Sequence, residues 1–261
     1  HERRTMKEQR KLNKGGKMLL LFTLVISSIF LLRPFTVKAD VNVNINKETQ
    51  IVTDLIGQYS INYTGDANFF GFYGYYENNN YNEMVKDTDF KATVDTIGKD
   101  KIVNSSIASL KKTDGATQIE AAYLVWETSV QGKNNTDLVK KAANKAVYFA
   151  GSTDKGAFTK KVNASYAAVD MREPHLGTKE YTFSCMYVDV TSVVQKYGYG
   201  KYGVANIPYA ASMKTSNTDK GTHAGESSSA WQLIVIEKNS KANVRAVSLK
   251  IGSHFNYQWE G

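Results

Sequence analysis

The chain has 261 residues, a single cysteine and a formal net charge of +8. Residues 1–39 carry nine of the 33 Lys/Arg and two of the 25 Asp/Glu, so the 222 residues that follow are nearly neutral and lack the clustered Lys/Arg that polyphosphate binding needs. The composition argues against a nucleic-acid partner, and one thiol excludes a fold held together by internal disulfides.

The first predicted element is an export signal. A basic stretch extends to Lys17, an uncharged apolar run spans residues 18–32, and Val37-Lys38-Ala39 precedes Asp40. This run is short for a membrane-spanning helix, which needs about 20 residues. We predict a signal peptide over residues 1–39, cleaved near Ala39, and a secreted or cell-surface chain that leaves the membrane after cleavage. Val37 is bulky for the usual Ala-x-Ala pattern, so an uncleaved anchor is the alternative.

From residue 40 onward the composition is typical of β-structure, with frequent Tyr, Val, Thr, Asn and Gly and short apolar runs between turn residues. The spacing of these runs predicts one all-β domain, a β-sandwich over residues 40–261, with a looser N-terminal part to about residue 112 as an alternative. The predicted strands span residues 41–45, 59–63, 119–126, 146–149, 181–190, 201–207, 231–237 and 244–251.

Helix signals are few. Residues 192–197 are predicted to form one or two turns, because Ser192 and Gln195 match a capping box and Gly198 can end a helix in the left-handed conformation. Residues 137–146 contain good helix formers, but their apolar spacing is broken, so this stretch is predicted as a loop with a helix as the alternative.

Residues 65–82, GDANFFGFYGYYENNNYN, combine aromatic residues, Gly and Asn without a helical period. One interpretation is a hairpin with rings in the core and an Asn-rich turn, which is the more common outcome. The other is an exposed platform on which rings stack on sugars and amides bind hydroxyls. The platform would use four tyrosines as ligand contacts: Tyr73, Tyr75, Tyr76 and Tyr81.

Four segments follow one another in the second half: AAYLVWE at 121–127, YVDVTSVVQKYGYGKYGVANI at 187–207, SAWQLIVIEKN at 229–239 and RAVSLKIG at 245–252. Their text and order resemble the A-x-L-Y-W, D-V-T-x-x-V…G-x-G-x-Y-x-V-A-N, G-W-x-L-V-V-V-Y-E-N and R-x-V-x-L-x-D-G segments of an N-terminal β-sandwich module in Gram-positive cell-wall-anchored surface proteins.

This resemblance implies an extracellular, adhesive or scaffolding module, with a host glycan or an extracellular matrix protein as partner. It leaves open whether the chain is wall-anchored, free or part of a longer surface protein. Two positions depart from the pattern, since Ala230 replaces Gly and Lys250 replaces Asp. Physically, the motif residues predict architecture: Trp126 and Trp231 lie in apolar strands and are predicted to be core.

Other motif residues predict chain turns. Asp189 and Thr191 can accept backbone N–H bonds where a strand runs into a helix. Gly198, Gly200 and Gly203 are predicted to allow tight backbone turns.

Cys185 is the residue best suited to covalent chemistry, because some Gram-positive adhesins form an internal Cys–Gln thioester. Gln118 and Gln232 are the candidate partners, each in a loosely matching context. The competing interpretation is an inert thiol, since strand alternation places Phe183, Cys185 and Tyr187 on one buried face. An isopeptide between Lys and Asn or Asp is also open, and the sequence names no pair.

A secreted hydrolase is the rival function. The sequence has no GxSxG elbow and no papain-like context around the cysteine. Asp87 and Asp89 form an oxygen-rich pair that either binds calcium or is simply solvated. We therefore predict a non-enzymatic chain without metal or cofactor. Three histidines lie far apart and lack metal-ligand spacing: His175, His223 and His254.

Overall fold

A computed structural model describes residues 42–45, 50–70, 79–131, 136–172, 181–208 and 228–252. Asp40–Gly261 form one compact unit. The strands are β1 Asn42–Ile45, β2 Gln50–Phe70, β3 Asn79–Asn80, β4 Ser105–Leu110, β5 Ala116–Gln131, β6 Val147–Thr153, β7 Gly156–Val162, β8 Tyr166–Arg172, β9 Tyr181–Asp189, β10 Gly200–Ala205, β11 Ser228–Asn239 and β12 Val244–Ile251. The α-helices are α1 Glu83–Lys86, α2 Lys91–Ile97, α3 Thr136–Asn144 and α4 Thr191–Tyr197, with 3₁₀ turns at Thr88–Phe90 and Lys99–Lys101.

The strands form two sheets, and the predicted all-β sandwich is confirmed. Sheet I has the order β1-β8-β9-β5-β11-β2-β12, with β3 paired to β2 at the side. Sheet II has the order β4-β10-β6-β7. All described pairs of named strands are antiparallel except β1 with β8.

The main core lies between the two sheets. The inner face of sheet I contributes Trp126 and Trp231, which are adjacent in register and only 1% and 3% exposed. Sheet II contributes Phe149 and Tyr202, whose rings stack with centroids 5.6 Å apart. The prediction that both tryptophans are core residues is confirmed, because their large rings are almost completely buried between the two sheets.

A helical layer covers the outer face of sheet II. Met84 and Phe90 are fully buried there, together with Val94. Gly203 of β10 admits this layer, because a Cβ at that position would come within 3.1 Å of both Met84 Sδ and Phe90 Cε1. Gly203 therefore serves close packing inside a strand and not the predicted turn. Gly198 and Gly200 do have the positive φ angles expected of turns, 71° and 143°.

The first half of β2 and its partner β12 form a ribbon over the outer face of sheet I. Leu55 and Val247 are paired in this ribbon and belong to one apolar cluster with Tyr123 and Tyr187 of the sheet. The Thr53 side chain is also hydrogen-bonded to Tyr123. A straight β2 would hold Thr53 far beyond Tyr123, so the strand turns back across the sheet.

Helix α4 is tied to the sheet by polar bonds that differ from the predicted capping box. Thr191 N donates to Asp189 Oδ1 (2.8 Å), as expected, but Thr191 Oγ1 accepts the N–H of Ala122 in β5 (2.9 Å). Gln195 donates to Ile119 O (3.0 Å) and does not reach back to the helix start. The capping box with Ser192 is therefore wrong, since the helix begins at Thr191 after an N-cap residue that has no side-chain cap.

Several elements differ from the sequence-based assignment. Strands β4, β7 and β8 and helices α1 and α2 were not predicted, and α3 forms where a loop was favoured. Residues 50–70 form β2 of sheet I, and residues 83–110 supply the helical layer and β4 of sheet II.

Replacing Trp231 by Ala is expected to lower the free energy of unfolding by about 3 to 5 kcal/mol, because the cavity lies in the main core. Ser106→Ala keeps the ring and removes only the hydroxyl to which Trp231 Nε1 donates (2.7 Å), so its loss should be smaller, about 1 to 3 kcal/mol. Urea unfolding of both variants tests the ranking. Equal losses would contradict a role for Trp231 as a packing anchor.

Candidate functional site

Outside the ribbon, two strongly exposed apolar side chains of sheet I lie on its outer face. Tyr63 of β2 is 67% exposed and Ile61 is 55% exposed. In register, Tyr63 lies opposite Ile234 of β11, and Gly65, which has no side chain, lies opposite the exposed Gln232. We call this surface the outer strip; it consists of Ile61, Tyr63, Val125, Glu127, Gln232 and Ile234.

Strand alternation decides which side chains reach the outer strip. Along β11, Trp231 and Leu233 point into the main core, so Gln232 and Ile234 must point outward. On the neighbouring strand β5, Val125 lies opposite Gln232. The strip thus has an aromatic ring and aliphatic groups beside one amide and one carboxylate, a combination that suits reversible binding.

Of the four tyrosines predicted as ligand contacts, Tyr73, Tyr75 and Tyr76 lie outside the described residues. Tyr81 is described and is 41% exposed. Its backbone is fixed at the far end of β2, where its N–H donates to Asn68 O (3.1 Å). Asn68 is five residues from Tyr63, roughly 15 Å along the strand, so Tyr81 does not belong to the outer strip.

Cys185 lies on the outer face of sheet I with Tyr187, as strand alternation predicted. It is partly buried between Ala168 of β8 and Glu127 of β5. Burial, and then the charge of Glu127, raise the pKa of the Cys185 thiol to about 12. The thiol is therefore protonated at neutral pH, and a protonated thiol is a poor nucleophile.

The strand register keeps Cys185 away from both candidate thioester partners. Cys185 is in register with Ala230 of β11, two strands away, and Gln232 lies two residues further along that strand. The Cα atoms of Cys185 and Gln232 are therefore roughly 12 Å apart, which is too far for a bond between their side chains. Gln118 is nine residues along β5 from the position opposite Cys185, or about 30 Å. The structure thus brings neither glutamine to the thiol.

Glu237 is a buried carboxylate residue that the sequence analysis did not identify. Its side chain is completely buried, and its carboxylate accepts bonds from Tyr199 OH (2.7 Å) and Ser60 Oγ (3.2 Å). Burial, followed by the hydrogen bond to Glu237, raises the pKa of Tyr199. Asn239, also buried, donates to the same Ser60 hydroxyl (3.2 Å). The sequence feature that could have identified this pair is the presence of Glu237 and Asn239 directly after the apolar run of β11, in the segment IVIEKN.

A second buried polar network joins the sheets at the opposite end of β11. Ser106 Oγ accepts the indole N–H of Trp231 and donates to Asn68 Oδ1 (2.6 Å). Asn68 Nδ2 donates to Asn104 Oδ1 (2.9 Å), and Asn104 in turn bonds the backbone of Ile207 in both directions. Every link is internal, so this network holds strands together and offers no open position to a ligand.

Asp87 and Asp89 share a cation that the protein itself supplies. Lys201 Nζ lies 2.9 Å from Asp87 Oδ2 and 2.8 Å from Asp89 Oδ2. The ammonium takes the place that a calcium ion would need between the two carboxylates. Within the described ranges, no group of three or more His, Cys, Asp or Glu could hold a metal ion.

Comparison with protein-family models, with curated proteins and with solved structures gives no match to this chain. Among the described residues, no helix has the length and apolar character needed to cross a membrane.

The Cys185 thiol is expected to be intact and slow to react in the folded protein, because its pKa is near 12. Intact mass should equal that of the chain without loss of ammonia, and a maleimide should label Cys185 quickly only after unfolding. Loss of one ammonia, restored by added methylamine, would reveal a thioester and contradict this assignment.

Lys201→Met is expected to destabilise the protein at neutral pH and to matter less in acid. Burial raises the pKa of Asp87, but the hydrogen bonds from Lys201 and Asp89 and the Lys201 charge outweigh it, so the pKa lies below its ordinary 3.8. A depressed carboxyl pKa stabilises the fold above the unfolded-state pKa, and this stabilisation is lost as pH falls through the folded-state pKa.

The gap in unfolding free energy between wild type and Lys201→Met should therefore narrow below about pH 4, as measured by urea titrations at several pH values. Lys201→Arg, which keeps the charge, is the matched control and should follow wild type. A gap that is independent of pH would contradict the ion-pair account.

Proposed function

We propose that this chain is a non-catalytic β-sandwich module that acts outside the cell and binds a ligand through the outer strip. The observation that carries the proposal is the high exposure of Tyr63 and Ile61 on the outer face of sheet I, beside the exposed Gln232. Exposed apolar side chains that form one contiguous surface mark interaction sites more often than isolated ones do.

The chemistry of the strip favours a neutral glycan as ligand. The ring of Tyr63 can stack against a sugar face, and the Gln232 amide and Glu127 carboxylate provide donors and acceptors for hydroxyls. An aromatic ring between polar groups is also suited to an extracellular matrix protein, which is the alternative partner.

Catalysis is less well supported by the same surface. Glu127 is the only carboxylate of the strip, whereas glycoside hydrolysis uses two that flank the scissile bond. The nearest thiol, Cys185, has a pKa near 12 and lies out of reach of both glutamines. These observations weigh against a hydrolase and against a thioester-forming adhesin.

Export and surface location are part of the proposal and rest on the leader-like residues 1–39. The resemblance to Gram-positive surface modules supports an adhesive or scaffolding role, as part of a longer protein or alone. A mature charge near zero fits recognition of neutral ligands.

Tyr63→Ala is expected to weaken binding about 5- to 30-fold on a glycan array and a matrix-protein panel, because a central aromatic contact carries a large share of affinity. Ile56→Ala is the matched control, since Ile56 is 81% exposed but lies on the ribbon. It should leave binding unchanged, as should Tyr63→Phe.

Tyr81→Ala distinguishes the two candidate surfaces. Weaker binding in this variant, with Tyr63→Ala unaffected, would place the ligand at the aromatic stretch over residues 65–82 and overturn the outer strip. Circular dichroism and urea midpoints confirm that each variant is folded.

A further inference from the structure

Three hydroxyl side chains form a row across the inner face of sheet I. Ser184 of β9, Thr128 of β5 and Ser229 of β11 are neighbours in register on adjacent strands. All three are at most 2% exposed. The indole of Trp126, two residues before Thr128 on the same face, borders the row and is 1% exposed. A polar row of this kind is unusual inside a sandwich core.

Three polar atoms of this group have no hydrogen-bond partner among the described residues: Trp126 Nε1, Thr128 Oγ1 and Ser229 Oγ. The neighbouring Ser184 hydroxyl does have one, since it donates to Thr128 O at 3.3 Å. The indole of Trp231, beside Trp126, donates to Ser106 Oγ at 2.7 Å. Gln50 Oε1 and Asn82 Oδ1 are also without a hydrogen-bond partner among the described residues, but each lies apart from this row, whereas Trp126 Nε1, Thr128 Oγ1 and Ser229 Oγ lie on neighbouring positions of one face.

Three buried polar atoms without hydrogen-bond partners would lower the stability of the fold substantially. Each buried donor or acceptor without a partner costs about 1 to 3 kcal/mol, a large share of the stability of a domain. Their spacing suits a shared partner, because directly opposed residues lie about 5 Å apart and residues two apart on a strand about 7 Å apart. These Cα spacings are compatible with one or two small molecules shared by the three side chains.

We propose that this row is a binding site for one or two ordered water molecules inside the sandwich. The group has no charge, so it suits a small neutral guest. Trp126 Nε1 donates to the water, while the hydroxyls of Thr128 and Ser229 each donate or accept. A buried water makes two to four hydrogen bonds, which matches the number of groups in the row. The water thereby joins β5 to β11 through side chains as well as through the backbone.

The sign of a stability change tests the proposal. Thr128→Val preserves shape and removes one hydroxyl. With bound water, the variant leaves the water short of a partner, and the unfolding equilibrium constant should rise about 5- to 30-fold. Without water, the variant removes an unsatisfied hydroxyl, and the constant should stay the same or fall. The second outcome overturns the proposal. Thr128→Ser, which keeps the hydroxyl, controls for the loss of the methyl group.

Two further measurements keep the test independent of folding defects. Ser229→Ala should also raise the unfolding equilibrium constant. The variant that combines Thr128→Val with Ser229→Ala should lose less stability than the two single variants added together, because both hydroxyls share the same water. Oxygen-17 magnetic relaxation dispersion counts long-lived internal waters and should register a loss in Thr128→Val. Additive costs with an unchanged water count would overturn the proposal.

Discussion

The alternation of side chains along β11 is the constraint on which both the core and the candidate site depend. Trp231 and Leu233 face the main core, so Gln232 and Ile234 face the outer strip. A register slip of one residue would exchange the two sets and bury an amide where an indole belongs. The hydrogen bond from Trp231 to Ser106 links β11 to sheet II, and this favours one register over its neighbours.

Buried polar groups lie at both ends of β11, and they differ in their hydrogen-bond partners. At the C-terminal end, the Glu237 carboxylate is surrounded by donors such as Tyr199 and Ser60, although no lysine contacts it among the described residues. A buried charge is tolerated when its oxygens are hydrogen-bonded. At the N-terminal end, the network that joins Trp231 to Ser106 is internal, whereas the hydroxyls of Thr128 and Ser229 have no partner among the described residues. If the proposed water completes the hydrogen bonds of the Thr128 and Ser229 hydroxyls, buried polar groups hold β11 in place at both of its ends.

The fold class was predictable because the period-two pattern and turn residues dominate the sequence, as in β12, whose predicted bounds match the structure. β8 was missed because Ala167 and Ala168 are buried on opposite faces, which removes both alternation and β propensity. Helix α1 and the 3₁₀ turn that precedes α2 pack against Gly203 through Met84 and Phe90, and no local sequence pattern indicates this contact. The exposure of Tyr63 was also beyond prediction, since alternation separates two faces but does not say which one the ribbon leaves open.

The motifs behind the family resemblance supply residues of both the core and the outer strip. Val125 and Glu127 of AAYLVWE and Gln232 and Ile234 of SAWQLIVIEKN belong to the strip, whereas other motif residues make internal bonds. Asp189 accepts the N–H of Thr191 at the start of α4, and Asn206 accepts the N–H of Val103 (2.9 Å). Trp231 and Glu237 are buried, and their polar atoms are hydrogen-bonded within the chain. Residues committed to internal bonds cannot also contact a ligand without unfolding the site. The proposed ligand contacts therefore depend on side chains that the folding bonds leave free, such as Tyr63 and Gln232 of the outer strip.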